Sequence, residues 1–302
     1  MIAGAPMLFL SQLANALVIG TLYALMSLGL SLIFGVLKLV NFAHGEAIMV
    51  GGYLFYVLAS LQLPLPLALL FSTPLLFLFG VLLERIFLRT PYQRKMARYD
   101  EYVILVTFAL SIFLQNLAFP VFGPYNRQAP PLFDRTIRLG ELIVGGDRMS
   151  GALVSFATIG ILIFFLYRTS LGKGLRAVAQ NPGAASIVGI KVLRMRSVAF
   201  GIGITLAGVA GALFGPIFLV NPEMGTSFAV KAFVIVVLGG MGSVKGTIFG
   251  AYGLAIVESF GSILLPDPTR SLAYKDAYGL LLLVLVLLVR PQGLFGEKER
   301  PA

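Results

Sequence analysis

Asn41, His44 and Glu46 stand close together in the run Asn41-Phe42-Ala43-His44-Gly45-Glu46, between two uncharged apolar stretches. An amide, an imidazole and a carboxylate at this spacing have two readings. In the first they line or gate a path through a membrane, with Phe42 as its constriction. In the second they serve the backbone: Asn41 caps the next helix, and Glu46 sits in its first turn at the positive end of the dipole. Both readings can hold at once. A catalytic or metal-binding reading fails, because His44 is the only histidine and the chain has no cysteine to act beside it.

A second stretch carries charge rather than chemistry. Residues 168–196 hold Arg168, Lys173, Arg176, Lys191, Arg194 and Arg196 and no acid. Apolar runs long enough to cross a bilayer flank it. The positive-inside rule makes it a cytoplasmic loop. Within it, Gly172 and Gly174 allow a sharp turn of the backbone. Leu175 to Gln180 reads as a short helical patch. Asn181-Pro182 is an N-cap followed by proline at the first helical position. Gly183 to Val188 reads as a small-residue helix closed by Gly189. Two short helices joined at Asn181 would present a low knob able to receive force from a separate protein.

These features sit on a chain built for lipid. It has 302 residues, 58% of them hydrophobic, and only 12% charged. The charges clump between long uncharged runs, the mark of an integral membrane protein. The net charge of +10 sits in short loops between those runs, so orientation explains it better than nucleic-acid binding does. No basic n-region opens the sequence, so no cleaved signal peptide is expected.

The first apolar run, Met7 to Phe34, is longer than one hydrocarbon core needs. The polar interruption over residues 35–46 and the short run Ala47 to Leu61 then suggest a discontinuous helix. Further spans are expected at 63–83, 102–122, 151–167, 197–220, 228–241, 246–265 and 277–289. The fold class is therefore all-α: a polytopic transmembrane helical bundle of about eight spans, forming a single domain over 1–302. Residues 84–98 are expected as a basic cytoplasmic loop, 123–150 and 266–276 as outer loops, and 136–144 as a small hairpin. The C-terminus falls inside.

Gly211 and Gly215 recur at a spacing of four, as do Gly242, Gly246 and Gly250. Such faces let helix backbones approach closely, and packing within the chain is the expectation. Lys231 and Glu258 are isolated charges in apolar runs. They pair with each other, pair with a partner subunit, or snorkel to an interface. The string Gly239 to Gly246 lacks the spacing of a phosphate-binding loop.

The spacing Gly183-Ala184-Ala185-x-x-x-Gly189 resembles the EAA-x-x-x-G loop of ABC importer permeases, the segment that docks into ATPase subunits. Gly183 stands where that loop has Glu, and the later Ile-x-Leu-Pro is missing. The run Asn41 to Glu46 is similar to one branch of these, the branched-chain amino acid permease family. So are Arg176-Ala177 with Asn181, the run Ala207-Gly208-Val-Ala-Gly211, and the run Leu238 to Gly246. The likeness covers about residues 10 to 295. It implies a heteromeric importer: this subunit, a second homologous permease, two cytoplasmic ABC ATPases and an extracytoplasmic solute-binding protein, in the inner membrane. It also implies that Arg176, Ala177, Asn181, Gly183, Ala184, Ala185 and Gly189 form the ATPase-coupling segment. The chain itself would then be no enzyme and hold no cofactor. A self-contained channel or secondary transporter for a small polar solute is the rival reading.

Overall fold

The computed structural model describes residues 5–139, 142–263 and 274–296. Most of the expected outer loop at 266–276, the hairpin tip at Gly140 and Glu141, and the tail from 297 lie outside the described residues. The elements in chain order are α1 (Ala5–Leu37), α2 (His44–Ser60), α3 (Leu65–Leu83), a π-helical turn (Glu84–Arg89) and α4 (Thr90–Gln93). Then follow α5 (Tyr99–Phe122), the strands β1 (Ile137–Leu139) and β2 (Leu142–Val144), α6 (Gly146–Arg168), α7 (Ser170–Gln180) and α8 (Pro182–Ile187). The chain continues with α9 (Val192–Phe218), α10 (Met224–Gly239), α11 (Val244–Gly261) and α12 (Lys275–Val289). The two strands pair antiparallel, so the small hairpin forms as expected.

Two helices make the centre. The apolar windows of α1 and α9 are each 83% buried, against 22% in α3, 22% in α5 and 28% in α6. A helix apolar on every side must be covered by protein or lipid. Here α1 and α9 are covered by protein, and α3, α5 and α6 expose their apolar sides. Close backbone approach makes the centre possible. A Cβ added to Gly51 of α2 would overlap the backbone of Gly208 in α9, and one added to Gly211 would overlap the carbonyl of Ile48. Only glycine permits that separation.

Length and composition alone do not bear out the expected count of about eight spans. Among the described residues, five helices are long and apolar enough to cross a membrane, or six if the bent pair α10–α11 counts as one span. The excess comes from short elements. The helices α2, α10 and α12 have 17, 16 and 15 residues, and α10 meets α11 at a 120° bend.

Three boundaries also move. The break after α1 is shorter than the 35–46 interruption: α1 runs to Leu37, Lys38 takes a left-handed φ of 57°, and α2 already begins at His44. Residues 84–93 are not a loop. The helix continues through the π-turn, and Glu84 is fully buried. Gly172 and Gly174 do not turn the chain, because α7 starts at Ser170 with Thr169 as its N-cap, its Oγ1 accepting from the Gly172 N–H at 3.0 Å.

Candidate functional site

The break between α1 and α2 is pinned by short polar contacts. The Asn41 side-chain oxygen accepts from the Ala43 N–H at 3.1 Å, closing an Asx turn. The N-cap position of α2 is Ala43, with no side-chain cap, so Asn41 shapes the approach to the helix rather than capping it. The Phe42 N–H donates to Thr107 Oγ1 of α5 at 3.2 Å. His44 is fully buried, and its Nε2 lies 2.9 Å from the Met26 carbonyl of α1. A carbonyl only accepts, so Nε2 carries the proton. Glu46 sits in the first turn of α2 and accepts from Ser111 Oγ of α5 at 3.0 Å. Its other oxygen faces Gly225 at the start of α10, where a Cβ would collide with the carboxylate.

Phe42 differs from its neighbours. It is 37% exposed, whereas Asn41, His44 and Glu46 are buried. Its ring packs edge-on to Phe108 of α5 at 6.5 Å and tilts against Phe233 of α10 at 5.4 Å. Three aromatic rings from three elements thus meet at the surface, over a floor of buried polar groups. The structure brings Asn41, Phe42, His44 and Glu46 into one place, with Phe42 alone reaching outward.

The basic segment folds as an elbow. The Asn181 side chain accepts from the Ala184 N–H at 2.9 Å and caps α8. The far end closes as a Schellman turn: the Ile190 N–H reaches the Ala185 carbonyl at 3.0 Å, the Gly189 N–H reaches that of Ser186 at 3.1 Å, and Gly189 takes φ 84°. Ala185 faces inward and Ala177 is half-buried, while Gly183 and Ala184 are exposed. At the tip Ile187 and Val188 stand out into solvent, 87% and 75% exposed. The Arg176 guanidinium lies over the Tyr167 ring, 4.8 Å from its centroid. The elbow packs against α1, α6 and α9. Arg194 and Arg196 belong to α9 instead of the loop, and Arg196 is buried with its guanidinium 3.7 Å above the Tyr92 ring.

The glycines expected on packing faces occupy different settings. Gly211 and Gly215 lie in α9, Gly215 close to Ala129 and Val220. Gly246 crosses Gly239, and Gly250 meets the Ile235 carbonyl, so both hold α11 on α10. Gly242 stands outside the helix, in the α10–α11 turn at φ 83°, against Gly35 of α1.

Lys231 and Glu258 pair with each other, Lys231 Nζ lying 2.6 Å from Glu258 Oε1. Tyr23 of α1 donates to the other carboxylate oxygen at 2.8 Å, and Asp276 of α12 also pairs with Lys231. Lys231, Glu258 and Asp276 border a cleft of about 270 Å³. The sequence reading missed Glu84, which accepts from Ser197 Oγ of α9 at 2.5 Å. A signal was there: Ile86-Phe87-Leu88 continues the apolar pattern past the acid.

A family model described as "Branched-chain amino acid transport system / permease component" matches residues 12–289. The chain belongs to this family. Among permeases that resemble it is the high-affinity branched-chain amino acid transport system permease protein BraD of Pseudomonas aeruginosa. The two are 31% identical over 312 residues, covering 96% of this chain and 97% of that protein. The LivH permease proteins of Escherichia coli K12 and Salmonella typhimurium are each 32% identical over 311 residues, covering 96% of both chains. The chain is thus related along nearly its whole length, so the break, the elbow and the bent pair all fall within the shared region.

Proposed function

We propose that this chain is the membrane-spanning permease subunit of an ATP-driven importer in the inner membrane. Its cargo would be branched-chain amino acids or related small amino acids and amides. It would work beside a second homologous permease, two cytoplasmic ATPases and an extracytoplasmic solute-binding protein. One observation supports this reading most: the α7–α8 elbow leaves Ala184, Ile187 and Val188 exposed at its tip on a chain with no nucleotide-binding motif. Apolar side chains held outward by two capped helices suit a docking knob.

The route of force follows the packing. ATPase closure pushes the elbow, which bears on α1 and α9. The glycine crossings Gly51–Gly208 and Gly211–Ile48 couple α9 to α2, so α9 cannot tilt without carrying α2. Movement of α2 displaces the 38–43 break and Phe42 against Phe108 and Phe233. Phe42 is then the constriction on the path. Asn41, His44 and Glu46 position it from below and become accessible as α2 moves. A short helix such as α2 or α12 completes a crossing together with its neighbours, which brings the number of membrane passes back toward eight. A two-state balance biased by a few kcal/mol suffices for such switching.

The rival reading, a self-contained channel or secondary transporter, draws support from the Lys231–Glu258 pair, whose carboxylate is buried, since ionisable groups inside membranes often couple transport. One experiment separates the two. The chain is reconstituted in vesicles with and without its ATPases and solute-binding protein, and uptake of radiolabelled leucine is measured. Uptake only with ATPases and ATP is expected. Uptake by the chain without any ATPase overturns the proposal.

A further inference from the structure

A second cleft of about 270 Å³ lies between α3 with its π-helical turn and α9, and neither the elbow tip nor Phe42 lines it. One wall is a single stripe with a spacing of four, Phe77 and Val81 from α3 and Arg85 and Arg89 from the π-helical turn that continues it. That stripe runs from aromatic through aliphatic to two guanidiniums. The α9 wall repeats the order in reverse chain sense, with Val198 beside the apolar end and Arg194 beside the basic end. The floor is closed where α3 and α9 touch, since a Cβ on Gly201 would meet Phe77 and Val81. Among the described residues no ion pair engages Arg85, Arg89 or Arg194.

The π-helical turn Glu84–Arg89 helps build this cleft. Such turns change the direction of side chains within a helix and recur at functional sites. Here the turn carries Arg85 and Arg89 to one side and sends Glu84 inward to Ser197 of the cleft lining, where among the described residues it forms no ion pair with either guanidinium. The surrounding α3 surface is largely exposed and apolar, as lipid contact requires.

We propose that this cleft binds the headgroup of an anionic phospholipid. The phosphate sits among Arg85, Arg89 and Arg194, and an acyl chain descends along Val81, Phe77 and Val198. The amphipathic order of the stripe matches the order of a phospholipid from headgroup to tail. Basic pockets between membrane helices recognise anionic headgroups through the same charge.

Native mass spectrometry of the full-length chain, released from detergent with defined lipids, tests this. The probes are phosphatidylglycerol and phosphatidylcholine with identical acyl chains. The wild-type chain is expected to retain phosphatidylglycerol over phosphatidylcholine on the order of tenfold. Equal retention of the two by the wild-type chain overturns the proposal, and this arm needs no variant. The variant R85Q/R194Q is expected to lose the preference, R85K/R194K to keep most of it, and R148Q to leave it unchanged. Displacement of bound phosphatidylglycerol by millimolar inorganic phosphate reassigns the cleft to a free anion and also overturns the proposal. So does a variant R85Q/R194Q that keeps the lipid preference but no longer co-purifies with an ATPase subunit, which would make the cleft a protein dock.

Discussion

Lys231 of α10 meets Glu258 of α11 at 2.6 Å across the 120° bend, with Glu258 buried and Lys231 nearly so. The pair joins the two arms of the bent helix pair, and Tyr23 and Asp276 extend it to α1 and α12. Removing Glu258 leaves the largely buried Lys231 only the exposed Asp276 as a partner among the described residues, so the loss approaches that of a broken buried pair, about 3–5 kcal/mol. E258A is therefore expected to lower the thermal midpoint of the purified chain markedly, read by circular dichroism. The double variant K231M/E258L is expected to recover much of that loss. A melt of E258A equal to wild type would deny the pair a structural role.

Helix contact in the centre depends on absent side chains. G51A places a methyl into the backbone of Gly208, whereas G160A places one into open space. Overpacking costs about 1–3 kcal/mol, so G51A should melt lower than wild type. G160A should melt no lower, and the two melts measured side by side are the check.

The elbow separates docking from folding residue by residue. Ala184 is exposed and Ala185 is buried. A184E is expected to leave the melt unchanged and cut ATP-driven uptake about tenfold or more, the scale of a lost interface contact. A185E buries an unpaired charge and should instead reduce the amount of folded chain. Full uptake by a folded A184E protein would remove the docking role.

Phe42 tests the constriction. Being 37% exposed, it contributes less to stability than the roughly 3–5 kcal/mol of a buried phenylalanine. F42A should fold and should raise the ATP-independent leak of leucine from loaded vesicles. An unchanged leak with unchanged uptake would move the path elsewhere.

How far the sequence reached depends on whether a feature is local. Asn181-Pro182 and Gly189 announce α8 because capping is settled within a few residues, and the structure has both ends as read. Glu84 and Arg196 lie in helices where the sequence alone suggests loops, because continuation of a helix past a polar residue depends on what covers that residue. Ser197 covers Glu84, and Tyr92 covers Arg196. Gly242 shares its spacing with Gly246, yet one is a turn and the other a helix contact, which spacing alone does not separate.

Hydropathy, charge placement and cap residues by themselves determined that this is a helical membrane chain with a broken helix near its start and a basic elbow in its middle. Each of those follows from groups within one turn or one span of each other. Only the tertiary structure decided which polar groups meet: Glu46 with Ser111, His44 with Met26, and Lys231 with Glu258. Those partners lie on different helices, and in an apolar interior a polar group is held by whatever the packing brings within hydrogen-bond reach.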